Sequence, residues 1–302
     1  MGIEEMLELK DKKAVIDIMT KFITDELKEF SANGVIFGLS GGVDSSLVAY
    51  ILAQVLPKDR ILAVFMGERD SHPQSMLHAR LVVEKLGINY KEVNITAILR
   101  KIGVYGLEPS PLFVPRRLQE KYTLGKYLKY QDKEETTFLK SLKGGENIQD
   151  LMKGNAYIRI KHRLRSVLLY FYGEQQNFLV VGCCNKTEKL TGYFVKYGDS
   201  ASDIDLIADL YKTQVKELAS FLGVPKEIIE KDPTPDLAPG LTDEFALQIP
   251  YEKLDKILYA IQNNLVSELT SEGINEKEVE YVKKLKFYSL HMRELPPYPR
   301  IS

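Results

Sequence analysis

Apolar positions recur at helical spacing from early in the chain. Val15, Ile16, Met19, Phe22, Ile23, Leu27 and Phe30 form one stripe and Asn33-Gly34 stops it, which predicts a helix over 13–30. The pattern then changes to short unbroken apolar runs. Val35–Leu39 and Ile61–Met66 predict two buried strands, and Tyr90–Ile95 predicts a third. Gly41-Gly42 turns the chain into a helix from about Ser45 to Val55, and Ser75–Leu86 is a helix ended by Gly87. Strands alternating with helices imply a parallel sheet with right-handed crossovers.

Regularity fails between about Val104 and Asn155. Pro109, Pro111 and Pro115 precede the polar run PRRLQEKYTLGKYLKYQDKEETTFLKSLKGG. A structureless loop of this length is unusual inside a compact domain, so 104–155 is expected to be an inserted lid or dimer arm with one or two helices. Alternation resumes with a helix over Ile158–Tyr172, a strand over Phe178–Val181, and a helix from Asp209 to Leu222 with Asp209 as its N-cap. Helices near Tyr251–Asn263 and Glu276–Arg293 follow, and the prolines of LPPYPRIS end the last one. The fold class expected is α/β: a doubly wound, Rossmann-like parallel sheet with helices on both faces. Residues 1–302 are read as one domain carrying the insertion.

Composition narrows the classes. Lys plus Arg number 41 and Asp plus Glu 42, a net charge of −1, which argues against a chain built for sequence-independent nucleic-acid binding. The two cysteines, Cys183 and Cys184, are adjacent, so no disulfide framework exists and a reducing compartment fits. No apolar run approaches the ~20 residues of a membrane span. The start, MGIEEMLELKDKK, lacks the apolar stretch of a secretory signal, and a cytoplasmic protein is expected. His72, His78, His162 and His291 show no metal-ligand spacing.

The strongest local signal is Phe37-Gly-Leu-Ser-Gly-Gly-Val-Asp-Ser-Ser46. It follows a strand and opens a helix, where free amides and the helix dipole favour an anion. Gly38, Gly41 and Gly42 let the backbone approach closely, and Ser40, Ser45 and Ser46 add hydroxyl donors. The Lys-Ser/Thr pair of a Walker loop is missing. Asp44 would repel phosphate unless a cation intervened, so Mg²⁺ shared between a carboxylate and phosphate oxygens is implied. A second polar cluster lies past the Phe178–Val181 strand. There Glu188 offers a second magnesium carboxylate, and Lys196 and Lys212 offer cations.

SGGVDSS resembles the pyrophosphate loop of the N-type ATP pyrophosphatases. The NKTE turn, GYFVKYGD, DLYKTQVKEL, PTPDLAPGLTDE, YEKLDKIL and the late HMRELPP resemble the ammonia-dependent NAD synthetases in particular. The likeness covers about the first hundred residues and nearly everything after Asn155. It implies a homodimer that uses ATP and Mg²⁺ to amidate deamido-NAD with ammonia. Carried over by position, it puts Ser40–Ser46 on the ATP phosphates and Asp44 and Glu188 on the metal, and makes Lys212 and Thr234 ATP contacts. Cys183 stands on the ATP side where Thr or Ser is usual. Arg163, Lys196, Asp203 and His291 match the deamido-NAD site. Asp44, Glu188 and Lys212 are the residues expected to carry catalysis.

Carboxylate and ammonia do not react at neutral pH, because oxide would have to leave. Attack on the α-phosphorus of ATP gives an acyl adenylate, and ammonia then displaces AMP. No side-chain nucleophile is needed. Ser200-Ala201 replaces the usual Gly-Gly after KYGD, Met292 replaces a lysine, and the insertion is longer than usual. A relative acting on another carboxylate or on tRNA, or a non-catalytic nucleotide-binding paralogue, therefore stays open. Basic residues interleaved with tyrosines over 115–145 raise RNA binding as one role of the insertion, against a packed lid or arm.

Overall fold

The computed structural model describes residues 2–109, 113–132, 134–144 and 148–301; Pro111 and Lys133 of the insertion lie outside these. Helices α1 (Ile3–Leu7) and α2 (Lys12–Glu29) lead into β1 (Gly34–Gly38), α3 (Val43–Val55), β2 (Ile61–Phe65), α4 (Pro73–Leu86), β3 (Asn89–Glu92) and α5 (Thr96–Lys101). Next come α6 (Arg116–Leu128), α7 (Thr137–Leu142), α8 (Gln149–Glu174), β4 (Phe178–Gly182), α9 (Lys186–Thr191), β5 (Ile204–Asp205) and α10 (Lys212–Phe221). The chain continues through α11 (Lys226–Ile229), α12 (Asp243–Leu247), α13 (Tyr251–Asn263), α14 (Glu276–Tyr288) and α15 (Leu290–Arg293).

The strands form one parallel sheet in the order β3-β2-β1-β4-β5. Because side chains alternate along a strand, an unbroken apolar run feeds both faces. Val35 and Phe37 face one side with Leu47 of α3, Ile23 of α2 and Val215 of α10. Ile36 and Val180 face the other with Leu99 of α5 and Tyr157 and Leu169 of α8. A further core lies apart from the sheet, where Ile3, Leu7, Leu139, Leu142, Leu254, Leu258, Val282 and Leu285 join α1, α7, α13 and α14. Among the described residues no helix is long and apolar enough to cross a membrane.

Several expectations are corrected. Asp209 is not the cap of α10: its side chain is 97% exposed and meets Lys186 Nζ at 2.8 Å. The intervening Leu210 accepts the Lys186 N–H at 2.8 Å and donates its own N–H to Ile207 O at 3.0 Å, so the chain is held in a turn there. The helix begins at Lys212, where the Gln214 side chain accepts the Tyr211 N–H at 2.9 Å. Helix α8 starts at Gln149, inside the span read as insertion, and the last predicted helix breaks at Ser289. The two-residue strand β5 had no sequence signal.

The span read as an insertion is anchored on the rest of the chain. Leu139 and Leu142 are buried in the C-terminal core, Thr136 Oγ1 meets Tyr281 OH at 3.0 Å, and Tyr127 OH donates to Ala246 O at 2.9 Å. Its basic and tyrosine side chains largely pair within the chain: Lys126 with Glu108 at 2.5 Å, Lys140 with Asp132 at 2.5 Å, and Tyr130 OH with Asp150 at 3.0 Å. Those pairings favour the packed reading over an RNA-binding arm.

Candidate active site

Strand order reverses direction at β1, with β2 on one side and β4 on the other, and ligands bind off the carboxyl ends at such a point. A cavity of about 360 Å³ opens there, between the loop after β1 and the turn after β4. Tyr127, Phe138, Ser141 and Leu142 of the insertion form part of its wall.

The loop after β1 is shaped from within. Gly41 has φ +78°, and a Cβ there would lie 2.1 Å from Ser75 O, so only glycine fits. Gly42 N–H donates to Ser40 Oγ at 3.2 Å, and Ser40 Oγ and Ser45 Oγ meet at 3.0 Å. No side chain caps the first amides of α3, which leaves them available to an anion. Gly38, Ser40, Gly42, Asp44, Ser45, Cys183, Lys212 and Thr234 line the cavity. Gly41 and Ser46 stand behind it, Ser46 fully buried with its hydroxyl donated to Gly42 O at 2.8 Å. Burial pushes the Cys183 thiol up, which suits a wall residue and not a nucleophile.

Asp44, in the first turn of α3, meets two elements. Its Oδ2 lies 2.5 Å from Lys212 Nζ, and its Oδ1 accepts from Asn185 Nδ2 at 2.8 Å. Asn185 also caps α9 in a reciprocal box with Glu188, which fixes the glutamate at the third helical position. Glu188 Oε1 is 4.0 Å from Lys212 Nζ. Asp243, next to the Thr242 cap of α12, accepts from Tyr251 OH at 3.0 Å through Oδ2, while among the described residues its buried Oδ1 has no hydrogen-bond partner. Burial and then Asp44 push Glu188 well above the usual carboxylate range, and burial raises Asp243. Burial pulls Lys212 down, but Asp44 and Glu188 outweigh it and hold the ammonium charged. Three crowded carboxylates with one lysine make a site that gains from a further cation.

Asp255 of α13 positions this cluster from below. It accepts from Thr187 Oγ1 at 2.5 Å and from Thr213 N–H at 2.8 Å, and Thr187 Oγ1 accepts the Lys212 N–H at 3.0 Å. The starts of α9 and α10, and so Glu188 and Lys212, are tied to one buried carboxylate. Burial pushes Asp255 up to about 6, against hydrogen bonds from Thr187 and Thr213 that lower it. The folded pKa lies above the unfolded value of about 3.9, so the folded chain holds this proton more tightly between those values. Relative to Asp255→Asn, the wild type should gain stability as pH falls from 7 through 6 towards 4, by about 2–3 kcal/mol at most. Paired urea melts across that range check it; a constant gap would remove the assignment.

The residues matched to the dinucleotide site lie outside the cavity wall. Arg163 Nε donates to Lys196 O at 3.3 Å, and Lys196 Nζ donates to His291 O at 2.7 Å and Glu294 O at 2.9 Å, which links Arg163, Lys196 and His291 on the surface. Asp203 accepts Val180 N–H at 2.7 Å and Tyr170 OH at 3.2 Å, beside the β4–β5 edge. Thr234 Oγ1 donates to Leu241 O at 2.8 Å and accepts Asp236 N–H at 3.1 Å, shaping its own loop.

A buried ionic network escaped the sequence reading. Lys161 of α8 is fully buried and donates to Glu68 at 2.8 Å, Asp70 at 2.7 Å and Leu237 O at 2.8 Å. Tyr105 OH donates to Glu68 at 2.7 Å, and Tyr157 OH to Asp70. Burial raises Asp70, but Lys161, Arg69 and Tyr157 outweigh it and leave the carboxyl below its ordinary value. The network joins the segment after β2, α8 and the Thr234–Leu241 loop. Among the described residues no three His, Cys, Asp or Glu side chains are arranged to hold a metal by themselves.

The chain matches the family model for NAD synthase over residues 15–110 and 118–296. It is 41% identical over 292 residues to the NH3-dependent NAD⁺ synthetase of Thermotoga neapolitana, covering 96% of this chain and 98% of that one. It is 37% identical over 298 residues to the enzyme of that name from Methanocaldococcus jannaschii, covering 98% and 100%. Among solved structures, an NMN synthetase from Francisella tularensis superposes with a TM-score of 0.69 at 26% identity, covering 96% and 99%. An NH3-dependent NAD synthetase from Campylobacter jejuni gives 0.66 at 24% identity, covering 96% and 100%.

Proposed function

Because the chain belongs to the NAD synthase family, we propose that it amidates deamido-NAD to NAD with ammonia, splitting ATP to AMP and pyrophosphate. The observation that carries this is the meeting of Asp44, Glu188 and Lys212 beside the uncapped start of α3, at the carboxyl edge of the sheet. Amides at the start of α3, with Ser40 and Ser45, receive the β- and γ-phosphates. The substrate carboxylate attacks the α-phosphorus, the bond to the bridging oxygen breaks, and pyrophosphate departs with that electron pair. Ammonia then adds to the acyl carbon, AMP leaves, and the nitrogen sheds a proton to solvent. Lys212 offsets charge on the departing pyrophosphate, and the cavity wall limits the access of water to the acyl adenylate.

The donor set fits Mg²⁺. Asp44 and Glu188 are hard oxygen ligands, two carboxylates are what this ion usually takes beside phosphates, and a cation would offset the burial and the Asp44 charge that raise Glu188. These two residues would hold it, and it would supply charge neutralisation on the leaving phosphates.

A second copy of the chain is the expected partner. Val167 and Phe171 stand on the outer side of α8, 62% and 56% exposed, close in sequence to Arg163. Two free cysteines fit a cytoplasmic setting.

Purified protein given Mg-ATP, ammonium and deamido-NAD should form NAD and pyrophosphate in equal amounts and sediment at twice the chain mass. The deamido form of NMN, run in parallel, tests the acceptor suggested by the Francisella structure. Turnover of the mononucleotide alone would replace the dinucleotide as substrate. Absence of both products, with ATP still bound, would move the search to other carboxylates.

A further inference from the structure

The metal end of the cavity is short of positive charge. Lys212 is committed to Asp44 at 2.5 Å, with Glu188 and Asp243 close by. Arg165, another cavity residue, is turned to Met66 O at 3.0 Å. A leaving pyrophosphate brings more negative charge to this place, and the helix start supplies only partial charge against it.

Lys231 stands in the same wall, two residues past α11. Its ammonium donates to Ser75 Oγ at 3.2 Å, and Ser75 is the residue whose carbonyl closes against Gly41. The ammonium therefore lies beside the phosphate loop. Among the described residues it forms no ion pair within 4 Å, whereas Lys212 forms two. Asp236, which faces it, is occupied by His72 N–H at 2.7 Å. Burial lowers Lys231 and Asp236 restores only part of that. Pro233 and Pro235 follow it and restrict the backbone over Asp232–Pro235, the same wall of the cavity. A half-buried, unpaired cation at a phosphate loop gains from an anion there.

We propose that Lys231 contacts the β- and γ-phosphates of ATP and stabilises the departing pyrophosphate, as a second cation complementing Lys212. The proposal rests on the ATP reading given above.

Calorimetry of the full chain with inorganic pyrophosphate and, separately, AMP, both with magnesium, tests it. Lys231→Ala should weaken pyrophosphate about tenfold or more and leave AMP unchanged, with Lys231→Arg recovering most of the loss. Wild-type pyrophosphate affinity in Lys231→Ala would overturn the contact. Equal weakening of AMP would overturn it too, since a merely structural lysine affects both. Wild type binding neither ligand would remove the ATP reading and the proposal together.

Discussion

Asp44→Ala should lower the rate of pyrophosphate release by about 100-fold or more at saturating magnesium. One carboxylate serves three ends here: it pairs with Lys212 at 2.5 Å, accepts from Asn185 at 2.8 Å, and is a metal ligand in the proposed reaction. Removing it deletes one of the two carboxylates proposed to hold the metal and frees Lys212. Glu188 at 4.0 Å keeps that lysine charged, so the fold should survive. Asp44→Asn keeps the shape but loses the charge and one of the two acceptors, since its amide nitrogen can only donate. It should be nearly as slow as the alanine variant if charge is what matters, and close to wild type if Asp44 only organises the turn. Near-normal turnover in both variants would overturn the metal assignment.

Lys161→Met should be the most damaging change to stability. It leaves Glu68 buried without its cation and Asp70 with Arg69 alone at 2.9 Å, and breaking such a buried pair costs about 3–5 kcal/mol. The expected fall in melting temperature is roughly 5–8 °C. Lowering the pH should narrow the gap, since stranded carboxylates can then take up protons. The triple variant Lys161→Met, Glu68→Gln, Asp70→Asn should recover part of the loss. An unchanged melting temperature in the single variant would show the network to be dispensable.

The sheet was legible because apolar runs at Val35, Ile61 and Phe178 are strong local signals with glycines to punctuate them. β5 was not, since two residues carry no periodicity. Asp44, Glu188 and Lys212 could be singled out in the sequence because each sits in a motif at an element's start, where local chemistry dictates residue type. Lys161 was missed for the opposite reason. It reads as one more charge on a polar helix, and its partners stand 91 and 93 positions away. Asp243 and Lys231 were hidden in the same way, their setting made by segments far apart in the chain. The Asp209 error came from trusting a capping preference without the Leu210 contact that fixes where α10 begins.

The path from β3 to β4 has a consequence for how this protein can vary. After β3 the chain must travel from the sheet's edge back past two strands to lie beside β1, and it does so over the cavity. Nothing in the strand pairing sets the length of that journey. Closing a longer loop costs only about 0.6 kcal/mol for each doubling. Segments can therefore be gained or shed at this point without disturbing the sheet, provided an apolar pair such as Leu139 and Leu142 still docks on the helical core. Lineages would diverge in length above the cavity before they diverge beneath it, so who may enter can change while the floor stays.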